Sequence, residues 1–165
     1  MAENLILKNQ RIYLIEFNMS NVLASNKKAF FDYEIKDTVE AGIVLKGYEV
    51  KAVKQSHMSL NGAYATFHSG ELFLINTTIS EYQAKNQPRE YDKTGSHKLL
   101  LKKSELEMLV RQMKEKRMVL IPTKVYLKNN LIKVEIGIGR PKKQYDKRET
   151  LKERESKRTI KKELY

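Results

Sequence analysis

The residue types that most often perform chemistry lack catalytic spacing in this 165-residue sequence. The three histidines have none of the spacings that place two imidazoles on one metal ion: His57, His68 and His97. Glu40 and Glu49 could meet in the fold, where we favour a capping or ion-pair role over acid and base catalysis. Asp146 stands apart from both. With no Gly-rich phosphate loop and no nucleophile elbow, the sequence predicts a protein without a catalytic site, metal site or cofactor.

The charge balance indicates binding to a polyanion. Lys and Arg number 32 against 20 Asp and Glu, which gives a formal charge of +12. Each phosphate that Lys or Arg neutralises releases condensed counterions, so a nucleic acid is the partner that this excess favours. The alternative is a basic surface that binds nothing in particular.

The sequence contains no cysteine, so disulfides and thiolate metal sites are excluded and a reducing cytoplasm is the expected compartment. The apolar run at residues 12–15 is flanked by Arg11 and Glu16. It is too short for a signal peptide or a membrane span, so we expect no membrane association.

Alternating apolar residues predict several strands. Residues 39–45 show the period of two, with Glu40 on the face away from the core. Residues 63–68 and 71–75 read as a hairpin around Ser69 and Gly70. A second strand pair, residues 118–127 and 131–138, surrounds two asparagines that can adopt the left-handed conformation of a turn.

One helix is predicted between the first hairpin and the second strand pair. Ser104 and Glu107 have the spacing of a capping box. A single apolar stripe follows at helical spacing: Leu106, Leu109, Val110 and Met113. Residues 49–55 are too few for periodicity to distinguish helix from strand. Short strands with one amphipathic helix predict a mainly β fold with α, an OB-fold-like closed antiparallel barrel with associated helices, and a β-sandwich is the alternative.

Composition divides the chain into three parts: a loose N-terminal arm at 1–25, a body at 26–138 and a basic tail at 139–165. The tail carries 11 Lys and Arg against 5 Asp and Glu, and its aliphatic residues are too few to dock on a barrel. We therefore expect a tail that is disordered alone. Charge pairs such as Glu153 and Lys157 would support a helix once an RNA surface binds it.

Several ordered motifs resemble the SmpB family over roughly residues 26–158. The N-terminal blocks are Asn26-Lys27-Lys28-Ala29, Asp32-Tyr33-Glu34-Ile35, Glu40-Ala41-Gly42-Ile43, Leu45-Lys46-Gly47 and Glu49-Val50-Lys51. The later blocks are Lys98-Leu99-Leu100-Leu101, Lys133-Val134 and the run from Lys142 to Thr150. A single motif is weak evidence for the family, but so many motifs in the family's order make an accidental match improbable.

The resemblance implies a partner and a set of contact residues. It implies binding to the tRNA-like domain of tmRNA (SsrA RNA) and entry with this RNA into stalled ribosomes, where the tail contacts 16S rRNA. Elongation factor Tu would be reached indirectly, through tmRNA. No DNA partner is expected. The implied tmRNA contacts are Asn26, Lys28, Glu40, Lys98, Leu100 and Lys133. The implied ribosome contacts are Lys142, Lys143, Tyr145, Asp146, Lys147, Arg148, Lys152, Arg154, Lys157 and Arg158.

The sequence also departs from the family pattern. Tyr48 and Lys54 stand where the family usually has a small polar residue and Arg, and His97 stands where Arg is usual before Lys98. We expect both changes to keep polar or positive character. Pro141 replaces an expected glycine and should stiffen the entry to the tail, because proline fixes φ. Two alternatives remain at this point: another basic OB-type translation protein, such as a ribosomal protein, and an RNA-processing enzyme.

Overall fold

A ring of antiparallel strands organises the chain. The computed structural model describes residues 21–82 and 93–148. The strands in this part are β1 Val22–Ser25, β2 Tyr33–Ile43, β3 Met58–Ser59, β4 Tyr64–His68, β5 Glu71–Ile79, β6 Thr94–Leu100, β7 Val119–Lys128 and β8 Leu131–Pro141. The helices are α1 Lys27–Asp32, α2 Gly47–Lys54 and α3 Lys103–Lys116. A helical turn follows at residues 144–148.

The ring runs β7, β4, β5, β6, β2 and β8, and β8 pairs again with β7. Its strongest pairings are those of β8, which follows β2 from Tyr33 to Gly42 and β7 from Val119 to Lys128. The hydrogen-bonded pairing of β4 with β7 is limited to one residue pair, Ala65 with Leu120. The predicted OB-like, mainly β architecture is confirmed, and the inner faces of the strands form its core.

The predicted alternation is confirmed where it is strongest. Val39 and Ala41 are buried and Glu40 is exposed, although β2 begins six residues earlier than predicted and ends at Ile43. Both predicted hairpins form, and Ser69, Asn129 and Asn130 adopt positive φ of 51°, 49° and 63° in their turns. The segment that periodicity left ambiguous is helix α2.

Helix α3 confirms the apolar stripe and corrects its cap. Leu109 is fully buried, and Leu106 and Met113 pack against the core. The predicted cap at Ser104 and Glu107 is wrong, because the helix begins at Lys103. Glu105 accepts a hydrogen bond from the backbone N–H of Lys102 at 2.8 Å. β6 ends only three residues before the helix, so the chain turns into it earlier than Ser104.

The predicted loose arm at 1–25 is wrong for its last four residues. Val22–Ser25 form β1, which pairs with β7 from Lys124 to Tyr126. β4 bonds β7 only at Leu120, so this part of the β7 edge is free to pair with β1. The backbone hydrogen bonds of that edge are then satisfied. Residues 1–20 lie outside the described part of the chain.

Asn26 fixes the corner between β1 and α1. Its side chain is buried and caps α1, accepting a hydrogen bond from the Ala29 N–H at 3.1 Å. Its amide nitrogen donates to the carbonyls of Leu60 at 3.2 Å and Pro122 at 3.1 Å. One side chain thus joins α1 to two distant segments of the body.

The composition boundary at residue 139 falls inside β8. Gly139 pairs with Ile35, and β8 continues to Pro141 opposite Tyr33. A Cβ placed on Gly139 would lie 2.4 Å from the Glu34 carbonyl oxygen. Counting apolar side chains missed this extension, because Gly139 contributes a close backbone approach and no side-chain burial.

Gly139→Ala should therefore destabilise the body, whereas Gly47→Ala should not. The new methyl at residue 139 meets backbone that cannot give way, and we expect a loss of at least about 2 kcal/mol. A Cβ on Gly47 meets nothing within 4 Å. Urea unfolding of both variants measures the difference, and equal midpoints would show that β8 does not extend to residue 139.

Asn26→Ala should lower the free energy of unfolding by about 1–3 kcal/mol, because it removes a cap and leaves buried partners unpaired. The matched control is Asn61→Ala, since the Asn61 side chain is exposed and only its backbone N–H forms a described hydrogen bond. Thermal unfolding followed by circular dichroism checks both. A loss no larger than that of the control would remove the structural role of Asn26.

Candidate nucleic-acid interface

The outer face of three neighbouring strands gathers polar residues. β8 lies between β2 and β7, and the register aligns two rows across them. We call these six positions the β2–β8–β7 face: Glu40, Glu135 and Lys124 in one row, and Gly42, Lys133 and Tyr126 in the other. The side chains of the five residues other than Gly42 point outward because the alternate positions, such as Val125 and Val134, are buried in the core.

Two side chains of β7 donate hydrogen bonds to Glu40. Its Oε2 accepts hydrogen bonds from the Tyr126 hydroxyl at 2.5 Å and from Lys128 Nζ at 2.9 Å. The Tyr126 hydrogen bond, followed by that of Lys128, holds the pKa of the Glu40 carboxyl below its usual value. Burial and the bond to Glu40 raise the pKa of Tyr126. Glu40 is therefore a carboxylate and Tyr126 a neutral donor at physiological pH.

Glu135 lies directly opposite Glu40 but has its own partners. Lys124 Nζ lies 3.1 Å from Glu135 Oε2, and the Thr123 hydroxyl donates to Glu135 Oε1 at 2.6 Å. Like charges opposite each other on neighbouring strands repel. The two carboxylates are thus each held by separate donors. A polar cavity of about 300 Å³ lies beside them, and Tyr126 and Lys128 contribute to its lining.

An apolar groove of about 310 Å³ adjoins this face. Leu100 pairs with Gly42 across β6 and β2, and its side chain is 52% exposed. Leu131 is 61% exposed on the same groove, and Lys133 also lines it. The structure therefore brings Glu40, Leu100 and Lys133, three of the predicted RNA contacts, to one continuous surface.

Lys98 lies two residues before Leu100 on β6. Its side chain is half-buried and forms a salt bridge with Glu71, and its carbonyl accepts the Val44 N–H at 2.9 Å. Lys98 thus stands beside the groove, but its ammonium group already has a partner within the protein.

Asn26 and Lys28 lie elsewhere. They line a separate cavity of about 460 Å³ beside α1, together with Tyr64 of β4 and Ile121 of β7. Lys28 is exposed, but the buried Asn26 side chain uses its amide and its oxygen within the protein. The Asn26 side chain therefore positions α1, which carries Lys28, and its direct contact with RNA stays a prediction.

His97 keeps the polar character that we expected, but its side chain is buried. It is 7% exposed, and its Nδ1 lies 3.9 Å from Oε2 of the buried Glu49. Burial lowers the pKa of His97 below its ordinary value despite the Glu49 carboxylate. The change from Arg therefore keeps a polar residue but no positive charge at neutral pH. Glu49 accepts the Lys46 N–H at 2.7 Å, the capping role that we favoured.

The first residues of the basic tail contact the end of α1. The Lys142 N–H donates to the Asp32 carbonyl at 2.9 Å, and its Nζ donates to the Phe30 carbonyl at 3.0 Å. Lys147 Nζ lies 2.8 Å from Asp32 Oδ1. These contacts complement the negative end of the helix.

Within the turn at residues 144–148, Asp146 accepts the Lys143 N–H at 3.1 Å. Tyr145 is 74% exposed, and Arg148 is exposed. The sequence predicts disorder from residue 139, and this prediction is wrong up to Arg148, because polar contacts with α1 replace the missing apolar burial. The remaining predicted contacts, Lys152, Arg154, Lys157 and Arg158, lie outside the described residues.

Sequence reasoning missed Tyr126 and Lys128 as members of the interface. A signal was present, since both occupy outward positions of a strand that alternates with buried Val125. Only the register shows that they reach Glu40, 86 and 88 positions earlier in the sequence. Among residues 21–82 and 93–148, no group of three His, Asp or Glu could hold a metal ion, and no helix is long and apolar enough to cross a membrane.

Comparisons with known proteins agree with the motifs. The family model described as SmpB protein matches residues 23–165. An SsrA-binding protein of Bacillus cytotoxicus is 48% identical over 139 residues, covering 84% of this chain and 89% of the relative. An SsrA-binding protein of Lactobacillus helveticus is 46% identical over 140 residues, covering 85% and 91%.

A solved structure described as "tmRNA-SmpB: a journey to the center of the bacterial ribosome" contains a chain of similar fold. Its TM-score is 0.59 at 40% sequence identity, and the match covers 73% of this chain and 84% of that one. The family model and the relatives each span most of the sequence, and the solved chain has a similar fold. This chain therefore belongs to the SmpB family.

Proposed function

We propose that this chain binds the tRNA-like domain of tmRNA and delivers it to stalled ribosomes for trans-translation. The observation that carries the proposal is the convergence of Glu40, Leu100 and Lys133 on one surface of the ring, in a chain whose relatives are SsrA-binding proteins. The similar solved chain comes from a structure whose description names tmRNA, SmpB and the bacterial ribosome.

The surface suits structured RNA more than a sequence code. Lys133 and the neighbouring lysines can neutralise phosphates, and the apolar groove at Leu100 offers a contact for an unstacked base. Glu40 can accept a hydrogen bond from a base or a ribose while it repels phosphate. This combination selects a particular shape of RNA backbone with exposed bases at defined points.

The tail serves a second partner in this proposal. It would enter the decoding site and the mRNA channel of a ribosome that lacks mRNA, where 16S rRNA phosphates neutralise its charge and permit a helix. Elongation factor Tu would be reached through tmRNA. The protein would act as a non-enzymatic carrier in the cytoplasm, where stalled ribosomes occur.

Lys133→Ala and Leu100→Ala should each weaken binding of the tRNA-like domain by about tenfold without lowering the unfolding temperature, since both side chains lie outside the core. Lys51→Ala, an exposed lysine of α2, is the matched control. Gel-shift titrations measure the affinities. Loss of affinity only in step with loss of stability would contradict a direct contact.

The same titration tests the electrostatic share. With about six phosphate contacts, wild-type affinity should fall roughly a thousandfold between low and physiological salt. Lys133→Ala should reduce the slope of log affinity against log salt concentration by about one, because one phosphate contact is lost. Leu100→Ala should leave this slope unchanged. A flat wild-type titration would exclude phosphate-driven binding.

Deletion of residues 144–165 should leave most tmRNA affinity intact but abolish rescue of stalled ribosomes. The part of the deleted segment that the structure describes contacts the body through the partly buried Lys147–Asp32 pair, and its Tyr145 side chain is 74% exposed, so little burial is lost. Peptide tagging on a ribosome stalled without a stop codon measures rescue.

A proline at Ser156 tests the helix without changing the charge of the tail, because proline in a helix interior costs about 3 kcal/mol. Ser156→Pro should fail in rescue, whereas Ser156→Ala should not. Normal rescue by the Pro variant would exclude a helical tail on the ribosome.

A further inference from the structure

The Glu40 carboxylate has one acceptor position left. A carboxylate offers about four lone-pair sites. Oε2 accepts from the Tyr126 hydroxyl and from Lys128 Nζ, and Oε1 accepts from Lys128 Nζ at 3.2 Å. Within the described chain, two contacts fill both positions of Oε2 and the third fills one position of Oε1. One position of Oε1 is therefore left free.

The holding groups come from β7, although Glu40 lies on β2 and the central strand β8 separates them. The Tyr126 ring spans this gap and ends on the carboxylate, and Lys124 Nζ lies 5.5 Å from the centre of that ring. Glu135, the nearest like charge in the register, is occupied by Lys124 and Thr123. Nothing in this arrangement requires Glu40 for closing the ring, since β2 and β8 pair through their backbones.

We propose that Tyr126 is a positioning residue of the RNA interface. Its hydroxyl fixes the Glu40 carboxylate so that the open position of Oε1 is presented to one hydrogen-bond donor of the bound RNA, a base N–H or a ribose 2′-hydroxyl. The inference rests on the proposed function and adds to it the residue that orients the acceptor. Lys128, the second holding group, also supplies the charge that keeps Glu40 paired before RNA arrives.

Tyr126 is the sharper residue to change, because Tyr126→Phe removes one neutral donor and keeps the ring, the size and the charge. Lys128 variants would also alter the electrostatic attraction of phosphate. The reference variant is Glu40→Gln, which keeps the shape of the acceptor but lacks its charge. The control is Tyr82→Phe, an exposed tyrosine outside the β2–β8–β7 face.

The test is a double-mutant cycle on binding to the tRNA-like domain of tmRNA. Tyr126→Phe should weaken binding about tenfold in the wild type, the effect of a hydrogen bond to a charged group, but less than about twofold in the Glu40→Gln background. The salt slope should stay unchanged, because no charge is lost. Carbon-13 NMR of the glutamate carboxyls should show a raised pKa for Glu40 in Tyr126→Phe.

Equal losses in both backgrounds, or no loss in either, would overturn the assignment. An unfolding temperature that falls in proportion to affinity would reduce Tyr126 to a structural residue and also overturn it. Failure of the proposed function is distinguishable, since wild-type protein would then not prefer the tRNA-like domain to an unstructured RNA of equal length.

Single 2′-deoxy substitutions in the unpaired nucleotides identify the donor. If the donor is a hydroxyl, one substituted RNA binds wild type more weakly and binds Glu40→Gln as the unsubstituted RNA does. If the donor is a base N–H, none of the 2′-deoxy substitutions shows this pattern. A base analogue that lacks the donor, such as inosine in place of one guanine, shows it instead. Absence of any such nucleotide contradicts a donor at Glu40.

Discussion

The pairing of β8 along both of its edges is the constraint on which the rest of the structure depends. β8 bonds β2 on one side and β7 on the other over most of its length. This double pairing joins β2, β8 and β7 through long ladders and aligns their outward-facing residues in rows across the three strands. Because β2 and β7 are far apart in the sequence, only this arrangement places Glu40 beside Tyr126 and Lys128.

The close backbone approach at the end of β8 also sets the origin of the tail. Gly139 fits against the Glu34 carbonyl, and Pro141 ends the strand opposite Tyr33. The chain then leaves beside α1, where Lys142 and Lys147 contact its last turn. The tail thus starts from the α1 side, whereas the Glu40 carboxylate lies on the β2–β8–β7 face. The cavity beside α1 and the cavity beside Glu40 have no lining residue in common.

The polar contacts of the interface serve orientation more than stability. Exposed ion pairs such as Glu40 with Lys128 contribute at most about 1 kcal/mol, because solvent screens them and the side chains lose freedom. The apolar core of the ring supplies the stability instead. The surface network can therefore be tuned for RNA without loss of the fold, which explains how two acidic residues are tolerated opposite each other.

The sequence by itself determined the mainly β architecture, both hairpins, the stripe of α3 and the outward position of Glu40, because these follow from local periodicity and turn chemistry. Its motifs also identified the family. Only the tertiary structure decided that Val22–Ser25 join the sheet, that Asn26 is buried, that Gly139 belongs to the body and that Tyr126 holds Glu40. Each of these depends on strand register or close packing between distant segments, and neither leaves a periodic signal in the residues concerned.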